Sequence, residues 1–270
     1  MPVPPDDVRR PELDATAVDA PGWRVEVLAE SPSTNAALAD RAREGEPPGL
    51  VLAAEHQTAG RGRLDRTWVT PPRAALTFSL LVAPGRVPVE RWPWLPLLTG
   101  LAVTEGVRRA AGVQATLKWP NDVLVDGLKV AGILVERVET PTGAVAVVGV
   151  GLNVSTTRDE LPVPTATSLR LAGATSLDRS ALLGAVLRAF TGSYDGWVSA
   201  AGHGLRTPYV RVCSTVGQRV RVGLPTGQTL HGEATGVDEQ GRLLVDDGTR
   251  EHVLGAGDVV HVRPDRGTGA

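Results

Sequence analysis

Two hydrophobic periods alternate along this 270-residue chain. Val25–Leu28, Leu50–Glu55, Ala75–Val82 and Ala144–Val150 are short apolar runs of strand length. Ala36–Arg43 and Pro93–Ala111 instead carry apolar residues at helical spacing. The first follows Ser31-Pro-Ser-Thr-Asn35, rich in N-cap side chains, and stops at Gly45; the second stops at Gly112. Leu182–Trp197 repeats the helical period. Asp126-Gly127 between two apolar stretches predicts a hairpin. The polar stretch His56–Thr70 predicts a loop, and its Gly60 and Gly62 leave the backbone free for positive φ and for close approach to a ligand.

After about Pro208 the texture changes. Arg219–Val222, Thr229–His231, Leu243–Val245, His252–Leu254 and Val259–Val262 are short stretches separated by Gly-rich turns, the pattern of a small all-β barrel. The expected fold class is therefore α+β: a mixed-sheet main domain over residues 23–210 and a C-terminal β-barrel over 211–264. Residues 1–22, rich in Pro and Asp, are expected to form a flexible lead, and 265–270 a flexible tail.

Composition narrows the function classes. A net charge of −2 gives no global basic footprint for nucleic acid. No apolar run reaches the ~20 residues that cross a membrane. One cysteine, Cys213, excludes an intramolecular disulfide and suits a reducing cytoplasm. Lysine is scarce: of the 28 basic residues, only Lys118 and Lys129 are not arginine. Lysine is a compact, mobile point charge where arginine is a rigid fork, so the two are not interchangeable in a reaction site.

Four stretches carry candidate chemistry. His56-Gln-Thr-Ala-Gly-Arg-Gly-Arg-Leu-Asp-Arg-Thr-Trp68 places Arg61, Arg63 and Arg66, donors suited to phosphate oxygens, near Trp68, a flat stacking surface. It lacks the Walker spacing. In Lys118-Trp-Pro-Asn-Asp122, Pro120 stiffens a bend that carries Asn121 and Asp122. Lys129-Val-Ala-Gly-Ile-Leu134 follows the hairpin turn, and Gly132 inside it suggests close approach by a ligand. Gly149-Val-Gly-Leu-Asn153 repeats that glycine pattern at a strand end.

Together with Ser33-Thr-Asn35, and in this order, these stretches resemble the catalytic core of biotin–protein ligases from about Trp23 to Arg263. The resemblance implies a class II synthetase-like biotin/lipoate ligase fold with an SH3-like C-terminal barrel. It implies that biotin and MgATP form biotinyl-5′-AMP, and that biotin then passes to a lysine of a biotin carboxyl carrier domain. Lys129, Arg61 and Asp122 are implied as the catalytic residues, Lys129 bridging the biotin carboxylate and the phosphate and Asp122 receiving the incoming amine's proton. Biotin is expected against Ser33, Thr34, Asn35, Gln57, Gly60, Arg61, Lys129 and Gly132. ATP and the adenylate are expected against Arg63, Arg66, Trp68, Asn121, Lys129 and Asn153. Lys118 has no catalytic assignment, and the Mg²⁺ ligands are unassigned. Some family members carry an N-terminal helix-turn-helix and repress transcription. Only about twenty loop-like residues precede the core here, so a ligase without DNA binding is expected. Monomer and homodimer both stay open. The rival readings are a lipoate or octanoate ligase on the same fold and, more distantly, a nucleic-acid-binding module built on the RG-rich loop and the barrel.

Overall fold

The structure is a computed structural model that describes residues 10–64, 66–224 and 226–262. Its centre is a seven-stranded sheet. β1 (Arg24–Leu28) pairs in parallel with β2 (Leu50–Ala54). From β2 onward the pairing is antiparallel through β5 (Ala75–Val82), β9 (Gly143–Asn153), β8 (Leu128–Thr140), β7 (Asp122–Val125) and β6 (Thr116–Lys118). The predicted hairpin joins β7 to β8, with Asp126 at φ 50 and Gly127 at φ 76. Between β2 and β5, the stretch read as loop contains a two-residue ladder, β3 (Gly60–Arg61) on β4 (Thr67–Trp68).

Strand alternation gives the sheet two faces. One face is apolar throughout. Val51 and Ala53, Leu76, Phe78 and Leu80, and Val148, Val150 and Leu152 pack there with α2 (Trp94–Ala111) and α3 (Arg179–Ser199). The other face changes character along its length. At one end Leu50, Leu52, Leu81, Val138, Val145 and Val147 bury against α1 (Thr34–Arg43) through Leu38, Ala39 and Ala42. At the other end the same face carries Thr77, Ser79, Gly132, Gly149 and Gly151, too small to fill the space above them. A sheet that offers side chains at one end and bare backbone at the other leaves a cleft.

The helix ends follow the sequence. Ser33 has extended backbone and its hydroxyl accepts from the Ala36 N–H, which starts α1 two residues before the expected Ala36. Gly112 closes α2 at φ 69, a conformation that glycine adopts without strain. Asp178 caps α3 by accepting from Ser180 N and Ala181 N.

The C-terminal strands form a five-stranded antiparallel, barrel-like sheet in the order β13 (Glu251–Leu254), β12 (Leu243–Asp246), β11 (Thr229–Val237), β10 (Arg219–Gly223), β14 (Asp258–His261). It is joined to the main sheet by α4 (Arg206–Val212), which the sequence reading missed; the helix is short, and Pro208 obscures its period. Trp119 crosses between the two units: its indole N–H donates to Gly241 O at 3.0 Å, and its backbone N–H donates to Thr215 Oγ1.

The described part of the expected flexible lead is fastened down. Leu13 and Ala20 are buried, and Asp14 caps a 3-10 turn over Ala15–Ala17. The Leu13 N–H donates to Glu55 Oε1 at 2.6 Å, and Arg179 Nη2 lies 2.6 Å from both Pro11 O and Glu55 Oε2. Pro and Asp composition suggested disorder. A buried ion pair at the end of β2 supplies the anchor that local composition could not show. The expected tail, 265–270, lies outside the described residues.

Candidate active site

The cleft over the glycine end of the sheet gathers most of the residues singled out from the sequence: Ser33, Thr34, Asn35, Gln57, Arg61, Arg63, Arg66, Trp68, Lys118, Asn121, Asp122, Lys129 and Gly132 all line it. They arrive from α1, the β3–β4 segment, the bend between β6 and β7, and β8. Gly257, Asp258 and Val259 of the C-terminal sheet supply part of the wall.

The floor is a pair of glycines. Gly132 and Gly151 are register partners on β8 and β9, and the Trp68 indole lies over them. A methyl group built on Gly151 would overlap the indole ring, and one on Gly132 would come within 3.4 Å of it. The indole N–H is buried and has no acceptor among the described residues. Gly149 makes room for the Asn35 amide in the same way. Gly60 and Gly62 differ from expectation, because neither adopts positive φ. Among the described residues of this segment the left-handed one is Leu64, at φ 55. Gly60 is required instead by the Trp68 carbonyl packed against its Cα. Gly60 does not line the cleft.

One wall is a polar network. The Thr34 N–H and hydroxyl both donate to Gln57 Oε1, at 2.8 and 3.1 Å. Ser79 Oγ lies 2.6 Å from Asn35 Oδ1 and 2.8 Å from Thr34 Oγ1. Its single proton serves Asn35 Oδ1, which can only accept. Asn35 Nδ2 donates to Glu136 Oε2 at 2.7 Å and to Leu134 O at 3.2 Å.

A second group of side chains carries charge. Lys129 Nζ lies 2.6 Å from Asp122 Oδ1 and 5.8 Å from the centroid of the Trp68 ring. Each arginine of the β3–β4 segment is held by a different element. Arg61 Nη2 donates to both Glu136 oxygens at 3.0 and 3.1 Å, Arg63 Nη1 donates to Asn121 Oδ1 at 3.3 Å, and Arg66 Nη2 donates to Asp258 Oδ2 at 2.6 Å. Burial lowers the affinity of the Arg63 guanidinium for its proton, while Asp122 and Asp258 nearby act the other way. The hydrogen bond from Arg66 to Asp258 instead raises the proton affinity of that arginine. Arginine stays charged in either case, so the cleft presents fixed cations, several with carboxylate partners that an incoming anion could replace.

Asn153 is not brought to the cleft. It is buried on β9 beyond Gly151, and its Nδ2 donates to Thr167 O at 2.9 Å. The segment it holds also pairs with the backbone of Lys129, through Lys129 N to Thr165 O and Thr167 N to Lys129 O, both 2.8 Å. Its contact with the lysine strand is thus indirect. Conversely, Ser79, Glu136 and Asp258 belong to the site and were not singled out from sequence. Strand alternation from Gly132 would have flagged Glu136, which lies on the same face of β8. No local signal could have placed Asp258 beside Arg66.

Residues 26–153 match the Biotin/lipoate A/B protein ligase family, and residues 215–262 match the Biotin protein ligase C terminal domain. A biotin–[acetyl-CoA-carboxylase] ligase of Mycobacterium tuberculosis is 44% identical over 95% of this chain and 98% of its own length. The bifunctional ligase/repressor BirA of Bacillus subtilis is 32% identical over 79% of this chain but only 66% of its own length. Among solved structures, the biotin protein ligase of Aquifex aeolicus in complex with biotin and ATP superposes with a TM-score of 0.76 at 27% identity, covering 89% of this chain and 99% of that one. A glycine-floored cleft ringed by Lys129, Asp122 and three anchored arginines, in a chain related to these enzymes over nearly its whole length, makes this protein a member of the biotin protein ligase family.

Proposed function

We propose that this cleft activates biotin with ATP and transfers it to a lysine of a biotin carboxyl carrier domain. The observation that carries this reading is the position of Lys129, whose ammonium stands at the edge of the glycine floor with Asp122 at 2.6 Å. In the first step a biotin carboxylate oxygen attacks the α-phosphorus, the bond to pyrophosphate breaks, and biotinyl-5′-AMP forms. Negative charge gathers around phosphorus, and a fixed cation in a site poor in water stabilises it. Lys129 is suited to bridge carboxylate and phosphate because its charge is a single mobile point. Arg63 and Arg66 supply bidentate donors on the phosphate side, with Asn121, and Arg61 stands on the biotin side. In the second step a carrier ε-amine attacks the acyl carbon, the acyl–phosphate bond breaks, AMP departs, and Asp122 takes the amine's proton.

Thr34 and Gln57 match a ureido ring, which offers both donors and an acceptor. Trp68 lies where it can cover the bound acid, and a cover that excludes water protects an adenylate from hydrolysis. Asp122, Glu136 and Asp258 each already face a cation. No group of three or more metal-ligating side chains exists among the described residues. If a magnesium ion accompanies the nucleotide, Asp122, beside Lys129, would be a carboxylate able to hold it, and the ion would neutralise phosphate charge. The match to the biotin-ligase C-terminal domain favours biotin over lipoate or octanoate. No helix of the described residues is long and apolar enough to cross a membrane. With the single buried cysteine, that fits a cytoplasmic enzyme.

The test is pyrophosphate release with MgATP and biotin, lipoate or octanoate, followed by transfer to a carrier fragment. Release that requires biotin, and labelling of one carrier lysine, is expected. Equal release with the aliphatic acids would overturn the biotin assignment.

A further inference from the structure

Trp119 pairs neither of its N–H groups within the sheet that carries it. It opens the bend between β6 and β7, whose flanking residues Lys118 and Asp122 are register partners. Its backbone N–H donates to Thr215 Oγ1 at 3.1 Å and its indole N–H to Gly241 O at 3.0 Å, and both acceptors lie beyond α4. The residue is 2% exposed. A buried indole N–H needs an acceptor, and leaving it without one costs the full desolvation of the donor. The bend therefore takes part of its position from the C-terminal sheet.

The acceptor is held as firmly as the donor. Gly241 belongs to the turn 238–242 between β11 and β12. Asp238 closes that turn: its Oδ1 accepts from Gln240 N and Arg242 N, both at 2.9 Å, and its carbonyl accepts from Gly241 N at 3.0 Å. The turn is seated on the start of α2. Glu239 O accepts from the Trp94 indole at 2.9 Å, and a methyl group on Gly241 would lie 3.2 Å from Leu97 Cδ1. Two carbonyls of one turn thus take two buried indoles, one from α2 and one from the bend. The far end of the bend is tied to β8, through Asn121 Nδ2 to Ile133 O at 2.8 Å and Ile133 N to Asn121 O at 3.0 Å. The Trp119 ring also lies against Gly257, which with Asp258 and Val259 walls the cleft.

We infer that Trp119 is a positioning residue: through Gly241 it sets Asn121 and Asp122 against the C-terminal wall of the cleft. Being almost wholly buried, it acts through these neighbours and not on substrate. Its consequence for catalysis rests on the ligase reading. The coupling itself rests only on the hydrogen bonds and packing around the indole.

Two variants of the whole chain break this contact from opposite sides. Trp119→Phe keeps an aromatic ring and removes the indole N–H. Gly241→Ala leaves the main sheet intact, but its methyl group crowds Leu97 and the φ of 78 disfavours any side chain, so the carbonyl is drawn off the indole. In each, kcat for biotin-dependent pyrophosphate release is expected to fall about five-fold or more, the factor that corresponds to one buried hydrogen bond. The KM for ATP should rise with it. The KM for biotin should change little, because Thr34 and Gln57 belong to other elements. The double variant should lose little more than either single one, since both break the same contact. Trp94→Phe is the control: it removes the sister bond to the same turn, and should lower the unfolding midpoint as much as Trp119→Phe while costing less turnover. Equal turnover loss in Trp94→Phe would assign a general stability effect and overturn the proposal. So would unchanged kcat in Trp119→Phe or Gly241→Ala, or full additivity of the two. If Trp119→Phe does not fold, Gly241→Ala decides by the same kcat. The Trp119 indole proton is also read directly, as the NMR signal missing from Trp119→Phe. It should exchange faster with solvent in Gly241→Ala, and unchanged exchange would count against the coupling. A wild-type chain that releases no pyrophosphate would count against the ligase reading alone, because the exchange result stands without it.

Discussion

Lys129 Nζ sits 2.6 Å from Asp122 Oδ1, with the Trp68 ring 5.8 Å away. The pair brings the cation proposed for the first step and the base proposed for the second into one contact. They can act in turn because each releases the other when substrate charge arrives. Lys129→Arg keeps the charge and loses its compact geometry. Adenylate formation is expected to fall about 10²-fold, the loss typical of removing one fixed donor from a site of developing charge. Single-turnover formation of labelled biotinyl-adenylate measures it, and near-normal formation would remove Lys129 from its role.

The seat of Trp68 depends on two hydrogen atoms. A methyl group at Gly151 would overlap the indole, so Gly151→Ala is expected to displace Trp68 from the floor. The backbone at Gly151 has ordinary negative-φ geometry, so the fold itself should lose little. Biotin binding should weaken about ten-fold or more, given the lost floor contact. Calorimetric titration with biotin, alongside thermal unfolding, separates the two effects. Unaltered binding would show that the floor is not the biotin seat.

Arg66 and Asp258 join the β3–β4 segment to the C-terminal sheet at 2.6 Å, with both side chains about half exposed. Such a pair contributes less than ~1 kcal/mol to stability and weakens with salt. Asp258→Asn should therefore leave the unfolding midpoint nearly constant while raising the KM for ATP. The difference from wild type should shrink at high ionic strength. A KM difference that persists at high salt would argue against an electrostatic link.

Glu55 and Arg179 form a different kind of pair, at 2.6 Å with side chains 9% and 4% exposed. Removing one partner strands a buried charge and is expected to cost about 3–5 kcal/mol. Glu55→Ala should lower stability by that order and free residues 10–20, whose Leu13 N–H the same carboxylate accepts. Hydrogen exchange at Leu13 together with urea unfolding checks both. A small loss with protection intact would mean that the lead is held elsewhere.

His261 contributes acid sensitivity to the C-terminal sheet. Burial, and then the charge of Lys118, lower its proton affinity in the folded chain. The unfolded chain therefore binds the proton more readily. The stability from this group is fully present above the ordinary histidine value near 6.5 and is lost as pH falls through the lower folded value. His261→Gln, which keeps a partner for Thr215, should flatten the stability profile below about pH 6.5. An unchanged acid limb in urea titrations would assign that loss to other groups.

Much of this fold was legible residue by residue. The strands around Leu52, Phe78 and Val148, the hairpin at Asp126-Gly127 and the stop at Gly112 all follow from local period and backbone preference, which act over a few residues. The arginine segment, the Lys118–Asp122 bend and the Lys129 strand could be singled out because each concentrates unusual chemistry in a short span. The ladder inside His56–Thr70 and the helix Arg206–Val212 were not legible. Both are too short for a period and are stabilised mainly by what they pack against.

What the linear order of residues determined alone is therefore the longer local elements and the identity of most of the reactive side chains. The tertiary structure decided the partnerships: Arg66 with Asp258 across 192 positions, Trp119 with Gly241 across 122, and Arg61 with Glu136 across 75. It also decided that Gly60 serves the Trp68 carbonyl and not a turn, and that residues 10–20 are clasped by a buried charge pair. The physical reason is range. Dihedral preference and capping extend over one or two turns of chain, whereas Coulomb attraction and close packing act between any groups that the sheet register and helix packing bring together.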